Sequence, residues 1–198
     1  MVHNVPRPVE FDRNTVVLKA MELFWAYGYE QTSLDALCEA TALNRSSLYN
    51  AFGSKLELFA EALERYAEGP AFEVVQPLTR ERGVTALRQF LSGLCEFVES
   101  PRGRCGCLFV KTAAEDMGVD EEVDRKVRAH FDGIRNGIKR AYREALDDGS
   151  IESELRPDAV ADWLVTFVRG ILTSVASGVD SGSLCASIKL TEQQLGLR

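Results

Sequence analysis

The chain has 198 residues, of which 45% are hydrophobic and 27% are charged, so it can bury a sizeable core. Six prolines and the absence of low-complexity sequence argue against disorder. A net charge of −7 excludes a chain that binds nucleic acid over its whole surface, because phosphate contacts come mainly from Lys and Arg. Residues 1–55 hold five of the 23 basic and six of the 30 acidic residues, so DNA binding remains open for that part.

The N-terminal residues lack the apolar centre of a signal peptide. The most apolar run, residues 163–179, is short for a membrane span and contains Arg169. We therefore expect a cytoplasmic chain without membrane contact. In that setting the five cysteines are expected to be free thiols rather than a disulfide framework.

Helical periodicity begins early in the chain. Apolar residues at helical spacing predict a first helix over residues 13–27 that ends at Gly28. Two short helices and a longer one follow, and the third is predicted over residues 44–52. The predicted N-terminal caps of the second, third and fourth helices are Thr32, Asn44 and Ser54.

Three short amphipathic helices joined by tight turns are typical of a helix-turn-helix unit, whose second paired helix enters the major groove of DNA. Here that helix is residues 44–52, with Leu48 and Phe52 directed to the core. Arg and Asn can reach base edges, hydroxyl groups can reach phosphates, and helix starts attract anions. The predicted DNA contacts are Thr32, Ser33, Asn44, Arg45, Ser46, Ser47, Tyr49, Asn50 and Lys55.

Residues 23–63 resemble the N-terminal DNA-binding domain of the TetR family of bacterial transcriptional regulators. The resemblance implies an all-α homodimer, with a DNA-binding head over residues 1–55 and a larger ligand-binding and dimerisation body over residues 56–198. It also implies that Thr32, Tyr49 and Lys55 contact phosphates. The residues that carry the resemblance are Phe24, Gly28, Tyr29, Thr32, Ser33, Thr41, Ser47, Leu48, Tyr49, Phe52, Ser54, Lys55, Leu56 and Phe59.

Two further positions of the head, Arg7 and Ala42, bear on DNA binding. The family commonly has Gly where this chain has Ala42, and a left-handed conformation would cost alanine about 1 kcal/mol. We therefore expect a different turn there, which would change the tilt of the recognition helix. Arg7 resembles the basic arms that some members place in the minor groove, and a solvated tail is the alternative.

The rest of the chain is predicted to be a helical body. Helices are expected over residues 87–98, 108–117 and 131–149, and over residues 158–178, where the helix is apolar around most of its circumference. In TetR-like proteins the last two helices form the dimer interface, and burial inside one subunit is the alternative. The predicted interface residues are Trp163, Phe167, Gly170, Ile171, Ser174, Gly178, Leu184 and Ile188.

A thiol sensor is predicted within residues 101–115. Arg102 and Arg104 can lower the pKa of Cys105 or Cys107, and the segment resembles a Gly-Cys-Leu element of one family branch, some of whose members sense electrophiles or oxidants. A packed, inert thiol is the alternative for Cys107. The three remaining cysteines, Cys38, Cys95 and Cys185, are expected to be structural.

The sequence lacks common catalytic motifs and a full set of zinc ligands. The sequence has no Gly-x-Ser-x-Gly, His-Glu-x-x-His or phosphate loop and only His3 and His130, so we expect no enzyme. Cys-x-Cys with His130 lacks the four convergent ligands of a zinc site, so no metal or cofactor is expected.

The favoured function is a ligand-responsive transcriptional regulator, which we expect to be a repressor. It would bind a palindromic DNA operator as a homodimer and be released by an unknown small-molecule or thiol-reactive inducer. The alternative is a helical protein-interaction module without sequence-specific DNA binding.

Overall fold

A computed structural model describes residues 11–115 and 120–197. Every element assigned in these ranges is helical, which confirms the all-α prediction. The region of Arg7, and residues 116–119 at the predicted end of the 108–117 helix, lie outside the described residues. The elements are α1 (Arg13–Tyr27), α2 (Leu34–Thr41), α3 (Arg45–Phe52), α4 (Lys55–Glu68), α5 (Pro70–Val75), α6 (Pro77–Arg80), α7 (Gly83–Glu99), a 3-10 helix (Gly103–Cys105), α8 (Leu108–Ala114), α9 (Glu121–Asp147), α10 (Pro157–Ala176) and α11 (Ser181–Gln194).

The first four helices each begin with a side-chain cap. Asn44 and Ser54 cap α3 and α4 as predicted, and each accepts a hydrogen bond from a first-turn amide. The prediction that Thr32 caps α2 is wrong, because Ser33 Oγ accepts from the Ala36 amide. The Thr32 hydroxyl is buried and instead donates to the Gly28 carbonyl at 2.6 Å. A cap of this kind contributes about 1 kcal/mol. The capping residues therefore favour helices that begin at these positions.

The turn between α2 and α3 differs from the expectation. Ala42 has φ 58° and ψ 25°, which is the left-handed conformation usually taken by glycine. Its neighbours Thr41 and Leu43 are both buried and anchor the turn on either side. The packing of these neighbours therefore outweighs the local cost to alanine, and the expected alternative turn is wrong.

Helix α9 lies at the centre of the body, between α7 and α10, and α11 packs on α7. Fully buried residues such as Phe90, Ile138 and Leu164 fill the spaces between these helices. Basic residues of α9 form ion pairs with α10: Arg135 with Asp158 and Asp162, and Lys139 with Asp158. Ion pairs thus flank the α9–α10 packing.

A disulfide joins Cys95 on α7 to Cys185 on α11, so the prediction of free thiols is wrong for this pair. The two helices pack with these Cα atoms 5.2 Å apart, within the range that a disulfide needs. The sequence did not reveal this pairing because 90 residues separate the two positions. Cys38, Cys105 and Cys107 are free.

Helix α10 has a buried inner face and an exposed outer face. By length and hydropathy alone it could span a membrane, but apolar core helices meet the same test. Three predicted interface residues, Ile171, Leu184 and Ile188, are buried within their own chain and serve its core. Trp163, Gly170 and Gly178 are exposed, and Phe167 and Ser174 are half-buried.

Candidate nucleic-acid interface and body cavity

Helix α3 presents a polar surface on a fixed apolar base. Leu48 and Phe52 are buried against the other head helices, whereas Ser46, Tyr49 and Asn50 are exposed. Ser47 is half-buried, and its amide donates to Asn44 Oδ1 at 2.8 Å. That bond occupies the Asn44 carbonyl oxygen and leaves its amide NH₂ group as a donor. The exposed side chains can hydrogen-bond both base edges and phosphates.

Arg45 is held at the start of this surface by Asp35 of α2. Its Nε and one terminal nitrogen donate to Asp35 Oδ1 at 3.1 and 2.7 Å. Both side chains are well exposed, so the pair contributes little stability and can be exchanged for another anion. The pairing orients the guanidinium in the absence of DNA.

Lys55 lies beside the aromatic ring of Tyr29 in the head. Its ammonium is 4.2 Å from the centre of the Tyr29 ring, a cation–π contact. Partial burial lowers the pKa of Lys55. A phosphate at the start of α4 would favour the charged form and also meet the free amides of that helix. Ser33 is exposed at the start of α2, whereas the Thr32 side chain is directed inward.

Hydrogen bonds made by three side chains, those of Trp25, Lys111 and Glu115, join the head to the body, and we call these contacts the head–body junction. The Trp25 Nε1–H of α1 donates to the Gly106 carbonyl at 2.8 Å. Lys111 of α8 donates to the carbonyls of Trp25 and Ala26 at 2.7 and 2.9 Å. Helix α1 has no basic residue in its own last turn, so Lys111 supplies the cation that complements its C-terminus.

Glu115 completes the junction. Its carboxylate accepts from the Tyr29 amide at 3.0 Å, and burial raises its pKa. Gly28 has φ +84°, and a Cβ at this position would lie 2.1 Å from a Glu115 carboxylate oxygen. The backbone conformation therefore favours glycine at this position, and a larger residue would also displace the Glu115 carboxylate from the Tyr29 amide. Sequence reasoning missed these roles of Trp25, Lys111 and Glu115 because their partners lie more than 80 residues away.

A cavity lies in the body between α4, α5, α7, α9 and α10. Its lining is almost entirely apolar and includes Tyr66, Phe90, Cys107, His130, Phe131 and Val168. Its volume is about 30 Å³, room for roughly two water molecules. A typical ligand pocket has at least about 300 Å³, so a ligand of that size can enter only if the surrounding helices move apart.

The polar groups at the cavity are held in neutral forms. Burial lowers the pKa of His130 to about 4, and its ring stacks on Phe109 with ring centres 4.0 Å apart. Burial also raises the pKa of Cys107, contrary to the prediction that Arg102 and Arg104 would lower it. Both arginines are exposed, and the arginine that does favour the Cys107 thiolate is Arg169. Cys105 is half-buried in the adjoining 3-10 helix.

These features define a helix-turn-helix regulator with an appended helical body. Residues 17–62 match the model for bacterial regulatory proteins of the tetR family, and residues 83–180 match the tetracyclin repressor-like C-terminal domain. The chain is 36% identical over 177 residues to the HTH-type transcriptional repressor ComR of Escherichia coli, covering 87% of this chain and 83% of ComR. The chain therefore belongs to the TetR family.

Other similarities extend along most of the chain. An uncharacterized HTH-type transcriptional regulator of Bacillus subtilis, YezE, is 30% identical over 149 residues, covering 75% of this chain and 77% of YezE. A cysteine variant of the TetR family transcriptional regulator CifR, solved with a 26-bp double-stranded operator, is 30% identical with a TM-score of 0.79. That match covers 94% of this chain and 98% of the other. The chain is thus a TetR-family HTH transcriptional regulator.

Proposed function

We propose that the protein is a transcriptional repressor that binds a palindromic operator as a homodimer. The observation that carries this proposal is the exposed polar surface of α3, set on buried Leu48 and Phe52. Its proposed contacts are Ser33, Asn44, Arg45, Ser46, Ser47, Tyr49, Asn50 and Lys55. Thr32 is not among them, because its buried hydroxyl donates to the Gly28 carbonyl and its amide donates to the Tyr29 carbonyl. Because this protein works on DNA, it acts in the cytoplasm.

The dimer is proposed to form through the outer face of α10. Trp163 is 44% exposed, and its ring lies against Phe167 with ring centres 6.0 Å apart. Among the described residues, nothing lies within 4 Å of a Cβ placed on Gly170 or Gly178, which leaves room for a second helix. A large aromatic residue beside small residues suits close helix packing. Residues 1–55 would then be the DNA-binding head and residues 56–198 the sensing and dimerisation body.

Release from the operator is proposed to begin in the cavity. An uncharged, mainly apolar molecule suits its lining, and entry requires the helices to separate. Movement of the segment from Cys105 to Glu115 would reach the head through the head–body junction. A ligand that binds the expanded state more tightly would shift the dimer away from the spacing of successive major grooves. Cys105, which is more exposed than Cys107, is the proposed reactive thiol.

Selection of bound sequences from random duplex DNA tests the proposal. We expect an enriched palindrome, bound with an affinity that falls steeply with salt. Lys55→Ala should reduce the slope of log affinity against log salt by about one, because one phosphate contact is lost. Tyr49→Phe should also weaken binding. Lys189→Ala on α11 removes the same charge as Lys55→Ala at a site away from α3, and it should leave binding unchanged. Enrichment of no sequence would favour the interaction-module alternative.

The direction of regulation and the thiol signal need separate tests. A reporter placed behind the selected palindrome should be silenced by the protein, whereas increased expression would identify an activator. Treatment with N-ethylmaleimide should release the operator from the parent but not from Cys105→Ser. Retention of the response in that variant and its loss in Cys107→Ser would assign the reactive thiol to the buried position.

A further inference from the structure

Three potential metal ligands converge where α7 meets α11. Cys95 and Glu99 lie one helical turn apart on α7, and Cys185 lies on α11. One ligand atom from each of these side chains lies within 4.8 Å of the other two. None of these residues belongs to the α3 surface, the head–body junction or the cavity.

The oxidation state of the pair decides what these residues can do. In the oxidised form the two sulfurs are bonded to each other. A regulator that works on DNA in the cytoplasm, as proposed above, meets glutathione and thioredoxin, which keep thiols reduced. The fold then holds two thiols and a carboxylate together, because the packing of α7 on α11 brings their backbones to a 5.2 Å Cα separation.

We propose that the reduced protein binds a thiophilic divalent cation of the zinc class through Cys95, Cys185 and Glu99. Zinc takes four tetrahedral ligands at about 2.3 Å for sulfur and about 2.0–2.2 Å for oxygen, which places ligand atoms roughly 3.5–3.8 Å apart. The three ligand atoms already lie within 4.8 Å of one another, and once the S–S bond is reduced the two sulfurs are free to separate to this spacing. A water molecule completes the tetrahedron, as it does in other sites with three protein ligands.

Binding is balanced by the release of protons. Two thiols and one carboxylate take up one Zn²⁺ and release two H⁺, which leaves a site with a net charge of −1. Glu99 is exposed and Cys95 is half-buried, so the ion can enter from solvent. The bound ion would connect α7 to α11 in the reduced protein, as the disulfide does in the oxidised protein.

Cobalt titration without DNA tests the site. The full chain is reduced with a phosphine, desalted without oxygen and titrated with Co²⁺. We expect one equivalent per chain to produce a thiolate-to-cobalt absorption band, and Zn²⁺ to bleach it. The band should be lost in Cys95→Ser and Cys185→Ser and kept in Cys38→Ser, which removes a thiol elsewhere. Protein first oxidised with glutathione disulfide should show no band.

Glu99→Gln provides a variant whose folding is not at risk, because Glu99 is exposed. We expect at least tenfold weaker Co²⁺ binding and a smaller rise in melting temperature with Zn²⁺ than in the parent. The absence of a band in the parent, or a band that survives Cys185→Ser, would overturn the proposal. Operator binding is measured on the same reduced sample. If the operator is bound but no cobalt band forms, the metal proposal fails and the proposed function stands.

Discussion

The head and the body are stabilised by contacts of different range. In the head, Asp12, Ser33, Asn44 and Ser54 cap helices through residues only two or three positions away. In the body, Asp120 and Asp180 cap α9 and α11 in the same way, but α7, α8 and α10 begin without a side-chain cap. Contacts such as Cys95–Cys185 and Gly83–Glu144 join distant positions there. The head is therefore organised by local sequence, and the body by which helices meet.

Among the changes that test this contrast, reduction of the Cys95–Cys185 disulfide should have the largest effect on the free energy of unfolding. A cross-link across 90 residues restricts the unfolded chain and contributes about 4–5 kcal/mol by loop-closure entropy. We expect the free energy of unfolding to fall by about that amount when reductant is added with a metal chelator. Urea unfolding with and without reductant measures it.

The matched control is the Cys95→Ser, Cys185→Ser double variant, whose stability should not respond to reductant. Its stability should equal that of the reduced parent to within about 1 kcal/mol, apart from the loss of two small apolar contacts. A parent protein that unfolds at the same urea concentration in both states would show that the cross-link does not restrict the unfolded chain.

The range of the contacts also explains what the sequence could predict. The bounds of α1 and the caps of α3 and α4 follow from residues within one turn, and the polar face of α3 follows from its period. The junction contacts of Trp25 and Glu115 join positions 81 and 86 residues apart, and no local pattern indicates them. The conformation of Ala42 was missed for the same reason, because the packing of its neighbours overrides its own preference.

Acid should weaken the body through His130. Burial lowers its folded-state pKa to about 4 from an ordinary value of 6.5, so below pH 6.5 the unfolded chain takes up a proton that the folded chain does not. Stability is thus fully present above pH 6.5 and falls by about 1.4 kcal/mol per pH unit, or about 3 kcal/mol by pH 4. Urea unfolding of parent and His130→Phe between pH 7 and 4 measures this contribution.

The variant keeps an aromatic ring to stack on Phe109 and lacks the titrating group. Other groups titrate in both proteins, so the relevant quantity is the difference between the two curves. We expect the variant to lose less stability than the parent over this range. Parallel curves would show that the imidazole is already protonated in the folded protein at pH 6.

Removal of the Lys111 ammonium from the head–body junction tests whether the stability of the head depends on its contacts with the body. Lys111→Met deletes two charge-assisted hydrogen bonds to the C-terminus of α1, and we expect a loss of about 2 kcal/mol. Amide hydrogen exchange at Tyr29 should accelerate in Glu115→Gln, because its acceptor carboxylate is weakened. Lys126→Met removes ion pairs with Glu64 and Glu122 and should cost less than about 1 kcal/mol. Equal losses in the two lysine variants would show that the junction has no special role.

The smallest expected effect lies in the head, at Ala42. Ala42→Gly relieves the left-handed alanine, which stabilises the fold by about 1–2 kcal/mol. The added backbone freedom of the unfolded chain offsets part of this, so the expected net gain is about 0.5–1 kcal/mol. Ala40→Gly, inside the preceding helix α2, has no such strain to relieve and should lose about 1 kcal/mol. Thermal unfolding of both variants measures the contrast, and opposite signs are expected. If both variants lost stability, the α2–α3 turn in solution would differ from the left-handed one, and the tilt of α3 on DNA would differ with it.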